Sequence, residues 1–183
     1  MTLKKLIHIL LVIVFFQVLF FCKKDEGHKN INVEVNNDFY LGADLSYVNE
    51  MEDCGAIYKN LNNLETDVFQ IFESAGANLI RVRLWHNPSW TNYSNLEDVI
   101  KTIQRAKDKN MSVLLDFHYS DTWADPSQQE IPSAWESNLN NDSLLADMLY
   151  NYTYSILRTL DSLELSPKIV QIGNEINPMI IQK

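Results

Sequence analysis

What most limits the folding of this chain is a repeating change of period. A short apolar run is followed by a loop and then by a stretch whose apolar residues recur at helical spacing, after which another apolar run begins. The runs predict strands over residues 40–45, 79–85, 112–117 and 169–173. Between them Val68, Ile71, Phe72 and Ala75 fall at i, i+3, i+4 and i+7, with Gly76 as a stop, and predict a helix over 64–75. Leu96, Val99, Ile100 and Ile103 predict a second over 95–110. Leu145, Met148, Leu149, Tyr152, Ile156 and Leu160 form the stripe of a third, over 142–163. Strands alternating with helices are βα units, which build a parallel sheet of the α/β class.

The connections are uneven. Those entering the strands are tight, as at Gly76-Ala77-Asn78 and Asn110-Met111, whereas those leaving them are long and rich in Trp, Tyr, His and Asp. Function is therefore expected at the C-terminal ends of the strands. Successive strand residues point to opposite faces, so Arg81, Arg83 and Trp85 oppose Ile80, Val82 and Leu84. Likewise Asp116 and His118 oppose Val113, Leu115 and Phe117, and Gln171, Gly173 and Glu175 oppose Val170 and Ile172. Two arginines on one face need acids or polar ligands to meet. An open doubly wound sheet is apolar on both faces, so charge on one face favours the inside of a barrel mouth.

The N-terminus is of another kind. Lys4 and Lys5 precede a nearly unbroken apolar stretch over 6–21, after which Cys22 meets Lys23, Lys24, Asp25 and Glu26. That pattern is an export signal over 1–22. A cysteine directly after the apolar run resembles a bacterial lipoprotein signal, in which Cys22 would carry the lipid and tie the protein to the cell envelope; simple secretion and an uncleaved anchor are the alternatives. Residues 23–37 read as a polar tether, and 38–183 as the globular part. The net charge of −9 argues against nucleic acid as a partner. The two cysteines, Cys22 and Cys54, are too few for a disulfide scaffold.

Gly173-Asn174-Glu175-Ile176-Asn177 places a carboxylic acid beside an amide at the end of an apolar strand. Glycoside hydrolysis uses one carboxyl to protonate the departing oxygen and a second to attack the sugar or to activate water. An Asn-Glu pair alone is more often surface loop, but here it has company. The run from Asp116 to Pro126 gathers Asp116, His118, Tyr119, Asp121, Trp123 and Asp125 directly after a strand, and Arg81-Val82-Arg83-Leu84-Trp85 adds arginines and an indole. Aromatic faces stack on sugar rings and acids bind hydroxyl groups. The plain alternative for Trp85, Trp90, Trp123 and Trp135 is loop packing. Asp116 and His118 could instead ligate a metal, but a third ligand is wanting, and neither metal nor cofactor is expected.

Four segments together resemble glycoside hydrolase family 53, the arabinogalactan endo-β-1,4-galactanases. They are Gly42-Ala43-Asp44-Leu45-Ser46 with Glu52-Asp53, the stretch from Gly76 to Trp85, the stretch from Leu114 to Pro126, and Val170 to Asn177. The resemblance implies a (β/α)8 TIM barrel and retaining hydrolysis of β-1,4-galactosidic bonds in galactan or arabinogalactan. It makes Glu175 the acid/base and sets Asn174 to orient the sugar 2-hydroxyl or the nucleophile. Arg81 would keep that nucleophile ionised, and Asp44, Trp85, Asp116, His118, Asp121 and Trp123 would bind substrate. Related barrels acting on mannan, xylan or β-glucan also use Asn-Glu after the fourth strand; the Asp-Phe-His-Tyr-Ser-Asp run favours galactan.

A closed barrel typically needs about 250 residues, and four βα units account for half of one. The expectation is an N-terminal half-barrel, without the nucleophile after strand 7 and inactive alone, whose first and fourth strands present open edges. Two other readings stand beside it. One is a non-catalytic lipoprotein that binds glycan through its aromatic loops; the other is a doubly wound hydrolase using Asp116 and His118 at its switch point.

Overall fold

A computed structural model describes residues 39–177 and 179–182. The export signal, Cys22 and the tether lie outside the described residues. One four-stranded parallel sheet runs in the order β1 (Gly42–Asp44), β2 (Leu79–Leu84), β3 (Ser112–Phe117) and β4 (Ile169–Ile172). Sequential parallel strands separated by helices make this one half of a (β/α)8 barrel, with β1 and β4 at the edges of the sheet.

Five helical segments connect the strands: α1 (Val48–Asp53), α2 (Val68–Ser74), α3 (Leu96–Lys107), a 3-10 helix (Ser133–Asn138) and α4 (Asp142–Ser162). Helix α2 starts later than its apolar spacing predicts because Lys59 and Glu65 form an antiparallel bridge that holds Leu64 in a hairpin. Asp67 then caps it, accepting from Gln70 N at 3.2 Å. Asn95 and Asn141 cap α3 and α4 in the same way, accepting from Asp98 N and Leu144 N. Helix α1 was not foreseen; six residues are too few for a helical period to show.

The outer face of the sheet carries Ile80, Val82, Leu84, Val113, Leu115 and Phe117, all buried, and α3 packs over β2 and β3 with Val99, Ile103 and Ala106. Ile156 and Leu160 of α4 and Phe69 of α2 join the same core. Burying each such side chain contributes roughly 1.5–3 kcal/mol. Ile172, on β4 at the sheet edge, is 48% exposed. Gly42 has a steric reason: a Cβ there would lie 2.5 Å from the Leu79 carbonyl oxygen of the paired strand.

An arginine cluster ties the helices together. Arg105 of α3 donates to both carboxylate oxygens of Glu52 at 2.7 and 2.8 Å, to Asp67 at 2.7 Å and to Asn49 Oδ1 at 2.8 Å, with its guanidinium over the Phe69 ring. Asn49 in turn donates to Asp98 and Thr102. This network joins α1, α3 and the cap of α2 on the helical side of the sheet.

Candidate active site

The inner face of the sheet is polar, as the alternation requires. Asp44 of β1 is level with Arg81 of β2, and Arg83 is level with Asp116 of β3 and Gln171 of β4. Residues level with one another in a parallel sheet point the same way, so acids and arginines converge at the C-terminal ends of the strands.

Arg81 is the hub. Its Nη1 pairs with Asp44 and its Nη2 with Asp116, and Nη2 also donates to Asn174 Oδ1 at 2.9 Å. Asp44 sits in a partly buried position that would raise its pKa, but bonds from Ser46 and the Arg81 guanidinium outweigh burial and leave the carboxyl below its ordinary 3.8. Asp116 is fully buried. Its Oδ2 meets Arg81 and lies 3.1 Å from His118 Nε2, while its Oδ1 has no partner.

Asn174 is fixed on several sides. Its Oδ1 accepts from Arg81 and from Gln171 Nε2 at 3.3 Å, its Nδ2 donates to the Ala124 carbonyl at 2.7 Å, and its own carbonyl accepts from Gln129 Nε2 at 2.8 Å. The stretch beyond β4 also returns onto the loop after β3, where Ile131 N donates to the Gln182 carbonyl at 2.6 Å and Ile181 is buried. Gly173 takes a φ of 84°, where a Cβ would also strike Ile176 at 2.5 Å, so glycine is required at that turn. Glu175 follows with a φ of 51° and is exposed. A glutamate held in the left-handed region is uncommon, and such strain gathers at functional sites.

Arg83 does not meet acids in the way two arginines on one face suggested. Its guanidinium carbon lies 4.5 Å from the ring centroid of Tyr47, 4.5 Å from that of Trp85 and 4.3 Å from that of Trp123. Nε donates to Ser94 Oγ at 3.1 Å, and Nη2 is buried without a partner. Aromatic faces carry the negative part of the ring quadrupole and so accommodate a buried cation in place of a carboxylate. Burial lowers the Arg83 pKa, with Tyr47 and Asp44 opposing.

The four indoles divide evenly. Trp85 and Trp135 are buried, while Trp123 is 40% and Trp90 58% exposed. Trp85 donates from Nε1 to His118 Nδ1 at 3.3 Å, and Trp90 donates to the Asp121 carbonyl at 3.1 Å. The carboxylate of Asp121 binds loop rather than open solvent: Oδ2 accepts from Ser133 N at 2.9 Å and Ser133 Oγ at 2.7 Å, and Oδ1 accepts from Asn87 N at 2.9 Å beside His86. Burial would raise its pKa, but the Ser133 and Asn87 bonds and His86 bring it below 3.8.

The structure thus brings Asp44, Arg81, Asp116 and Asn174 together, with His118 and Trp85 behind Asp116, and places Asp121 in the loop framework. The sequence reading missed Tyr47, which is half-exposed and lies 6.1 Å from Trp123 ring to ring, and Gln129, which braces Asn174. An aromatic just past the end of β1 was the available signal for Tyr47.

The model of glycosyl hydrolase family 53 matches residues 40–183. The chain belongs to this family. Among its family 53 relatives, the arabinogalactan endo-beta-1,4-galactanase of Cellvibrio japonicus (strain Ueda107) is 54% identical over 153 residues, covering 84% of this chain and 40% of that protein. The endo-beta-1,4-galactanase of Bacillus subtilis (strain 168) is 40% identical over 162 residues, covering 85% of this chain and 36% of that protein. The family 53 catalytic domain of Ignisphaera aggregans superposes with a TM-score of 0.73 at 37% identity, covering 80% of this chain and 42% of that one. A fungal beta-1,4-galactanase structure superposes with a TM-score of 0.72 at 42% identity, covering 78% and 42%. The chain therefore spans about two-fifths of the length of these relatives.

Proposed function

We propose that this chain carries the acid/base half of an arabinogalactan endo-β-1,4-galactanase site, acting by retaining double displacement. The observation that supports the reading is Asn174, held by Arg81 from β2 and Ala124 from the β3 loop, with the exposed Glu175 carboxyl next to it in a left-handed turn at the end of β4. Glu175 protonates the departing glycosidic oxygen and then takes a proton from the attacking water. The second carboxylate, about 5–5.5 Å from the first in a retaining site, belongs to the part of the family domain with no counterpart in these four strands. Hydrolysis on this reading requires both halves of that domain.

Asn174 Nδ2 has one hydrogen on the Ala124 carbonyl and a second left for a sugar hydroxyl, the 2-hydroxyl on this reading. The exposed faces of Trp123 and Tyr47, stiffened by Arg83 beneath them, suit stacking on galactose rings. Export through residues 1–22, with Cys22 lipidated, places the enzyme at the cell envelope; Cys22→Ser should move it from the membrane fraction to the medium.

The test is reducing-sugar release from β-1,4-galactan by the full-length protein, meaning these residues joined to the second half of a family 53 barrel. Glu175→Gln should lower the rate by about 1,000-fold, within the range of general acid–base contributions, with no change in the unfolding transition. Wild-type activity in Glu175→Gln overturns the assignment. Binding of galactan with no cleavage by the wild-type protein would instead favour a glycan-binding lipoprotein.

A further inference from the structure

We infer that Trp85, His118 and Asp116 form a buried positioning relay that fixes Arg81, and through it the Asn174 amide beside Glu175, rather than a surface that touches sugar. The inference rests on the galactanase reading of the site.

It begins with access. Asp116 is 0% exposed, and His118 and Trp85 are each 2% exposed, so a substrate hydroxyl does not reach their polar atoms. It continues with hydrogen direction. An indole N–H can only donate, so His118 Nδ1, 3.3 Å from it, must accept, and the ring hydrogen is carried on Nε2. Nε2 lies 3.1 Å from Asp116 Oδ2. That same oxygen accepts one hydrogen of Arg81 Nη2, and the other Nη2 hydrogen goes to Asn174 Oδ1.

Asn174 is thereby held with its oxygen toward Arg81 and its NH2 group toward Ala124 and the remaining open direction. The Trp85 N–H, which can only donate, fixes the His118 tautomer, and the Arg81 guanidinium, which can only donate, fixes the orientation of Asn174; Asp116 joins the two by accepting from both. The single positive charge of Arg81 is already shared between Asp44 and Asp116, so its contribution at the site is directional rather than a surplus of charge. Asp116 also leaves Oδ1 buried and unbonded, a desolvation cost that packing alone does not justify and that is expected of a polar group kept for function.

The relay is tested in the full-length protein with β-1,4-galactan as substrate. Trp85→Phe keeps an aromatic ring against Arg83 and removes the donor; it should lower kcat about tenfold, the worth of one lost hydrogen bond, with KM unchanged. His118→Ala should lower kcat about 100-fold, and His118→Gln, which restores an N–H donor, should recover part of that loss. Nitrogen-15 NMR of the histidine-labelled wild-type protein should show His118 with a hydrogen on Nε2 and none on Nδ1, a readout that needs neither activity nor a variant.

A rise in KM at constant kcat would mean that these residues contact sugar, and overturns the relay. A hydrogen on Nδ1 also overturns it. Glu175→Gln, measured in parallel, separates the two levels of failure. If it is inactive while Trp85→Phe keeps the wild-type kcat, the relay alone is wrong; if it is fully active, the galactanase reading falls and the relay loses its target.

Discussion

Two arginines of this chain are clamped almost alike, each between two carboxylates and the side-chain oxygen of an asparagine. Arg105 holds Glu52, Asp67 and Asn49 among the helices; Arg81 holds Asp44, Asp116 and Asn174 at the mouth of the sheet. What differs is what lies beyond the asparagine. Asn49 passes its amide hydrogens inward to Asp98 and Thr102, and the network ends in buried, bonded groups. Asn174 stands before Glu175, an exposed carboxyl on a strained turn, and behind Arg81 the network leaves an Asp116 oxygen without a partner. A closed network serves the fold, whereas a network left open at one end offers its last group to a ligand. The local chemistry of an arginine cluster therefore does not by itself assign a role.

This contrast predicts a double dissociation. On the galactanase reading, Arg81→Met should remove nearly all galactan hydrolysis by the full-length protein, because Asn174 loses the anchor that holds its side-chain oxygen. It should also destabilise the fold by about 3 kcal/mol, since Asp116 is left as a buried charge with no counter-ion. Arg105→Met should cost less, about 1–2 kcal/mol, because Glu52 and Asp67 are partly exposed and water screens what they lose. Activity per folded molecule should stay at the wild-type level in Arg105→Met. Denaturant unfolding and initial rates, measured on the same samples, check both. If Arg105→Met loses activity in proportion to Arg81→Met, the distinction between closed and open clusters fails.

How much of this was legible in the sequence follows the same line. Periodicity located β2 and β3 to within a residue, because their outer faces are fully apolar and their inner faces are not. It also placed Arg81 and Asp116 on one face. It said nothing of who meets whom across that face. Arg81 and Arg83 look equivalent in the chain, yet one pairs with acids and the other lies among Tyr47, Trp85 and Trp123, which come from three separate segments. The loop acids were equally opaque. Asp121 resembles a solvent-facing binding residue until Ser133 and Asn87 are seen to take both of its oxygens. Strand patterns report burial, which is local in sequence. Hydrogen-bond partners are set by loop paths, which are not.

The smallest expected effect compares the two clusters through their outer carboxylates. Asp44 and Asp67 are each pushed upward by burial and pulled further down by their bonds and arginines, so both have folded pKa values below the ordinary 3.8. For a carboxylate with a depressed folded pKa, the unfolded chain binds more protons. Each contribution is thus fully present above about pH 3.8 and is lost as the pH falls through the folded value. Asp67→Asn and Asp44→Asn should each flatten the acid limb of the stability curve below that pH and leave its shape near neutrality unchanged. The two differ in function. Asp44→Asn removes one of the two anions that share Arg81 and, on the galactanase reading, should slow galactan hydrolysis, whereas Asp67→Asn touches only the helical cluster and should not. An acid limb unchanged by either substitution would show that these arginine contacts are too well screened to matter, and would leave the bond of Arg81 to the buried Asp116 as the electrostatic anchor of the site.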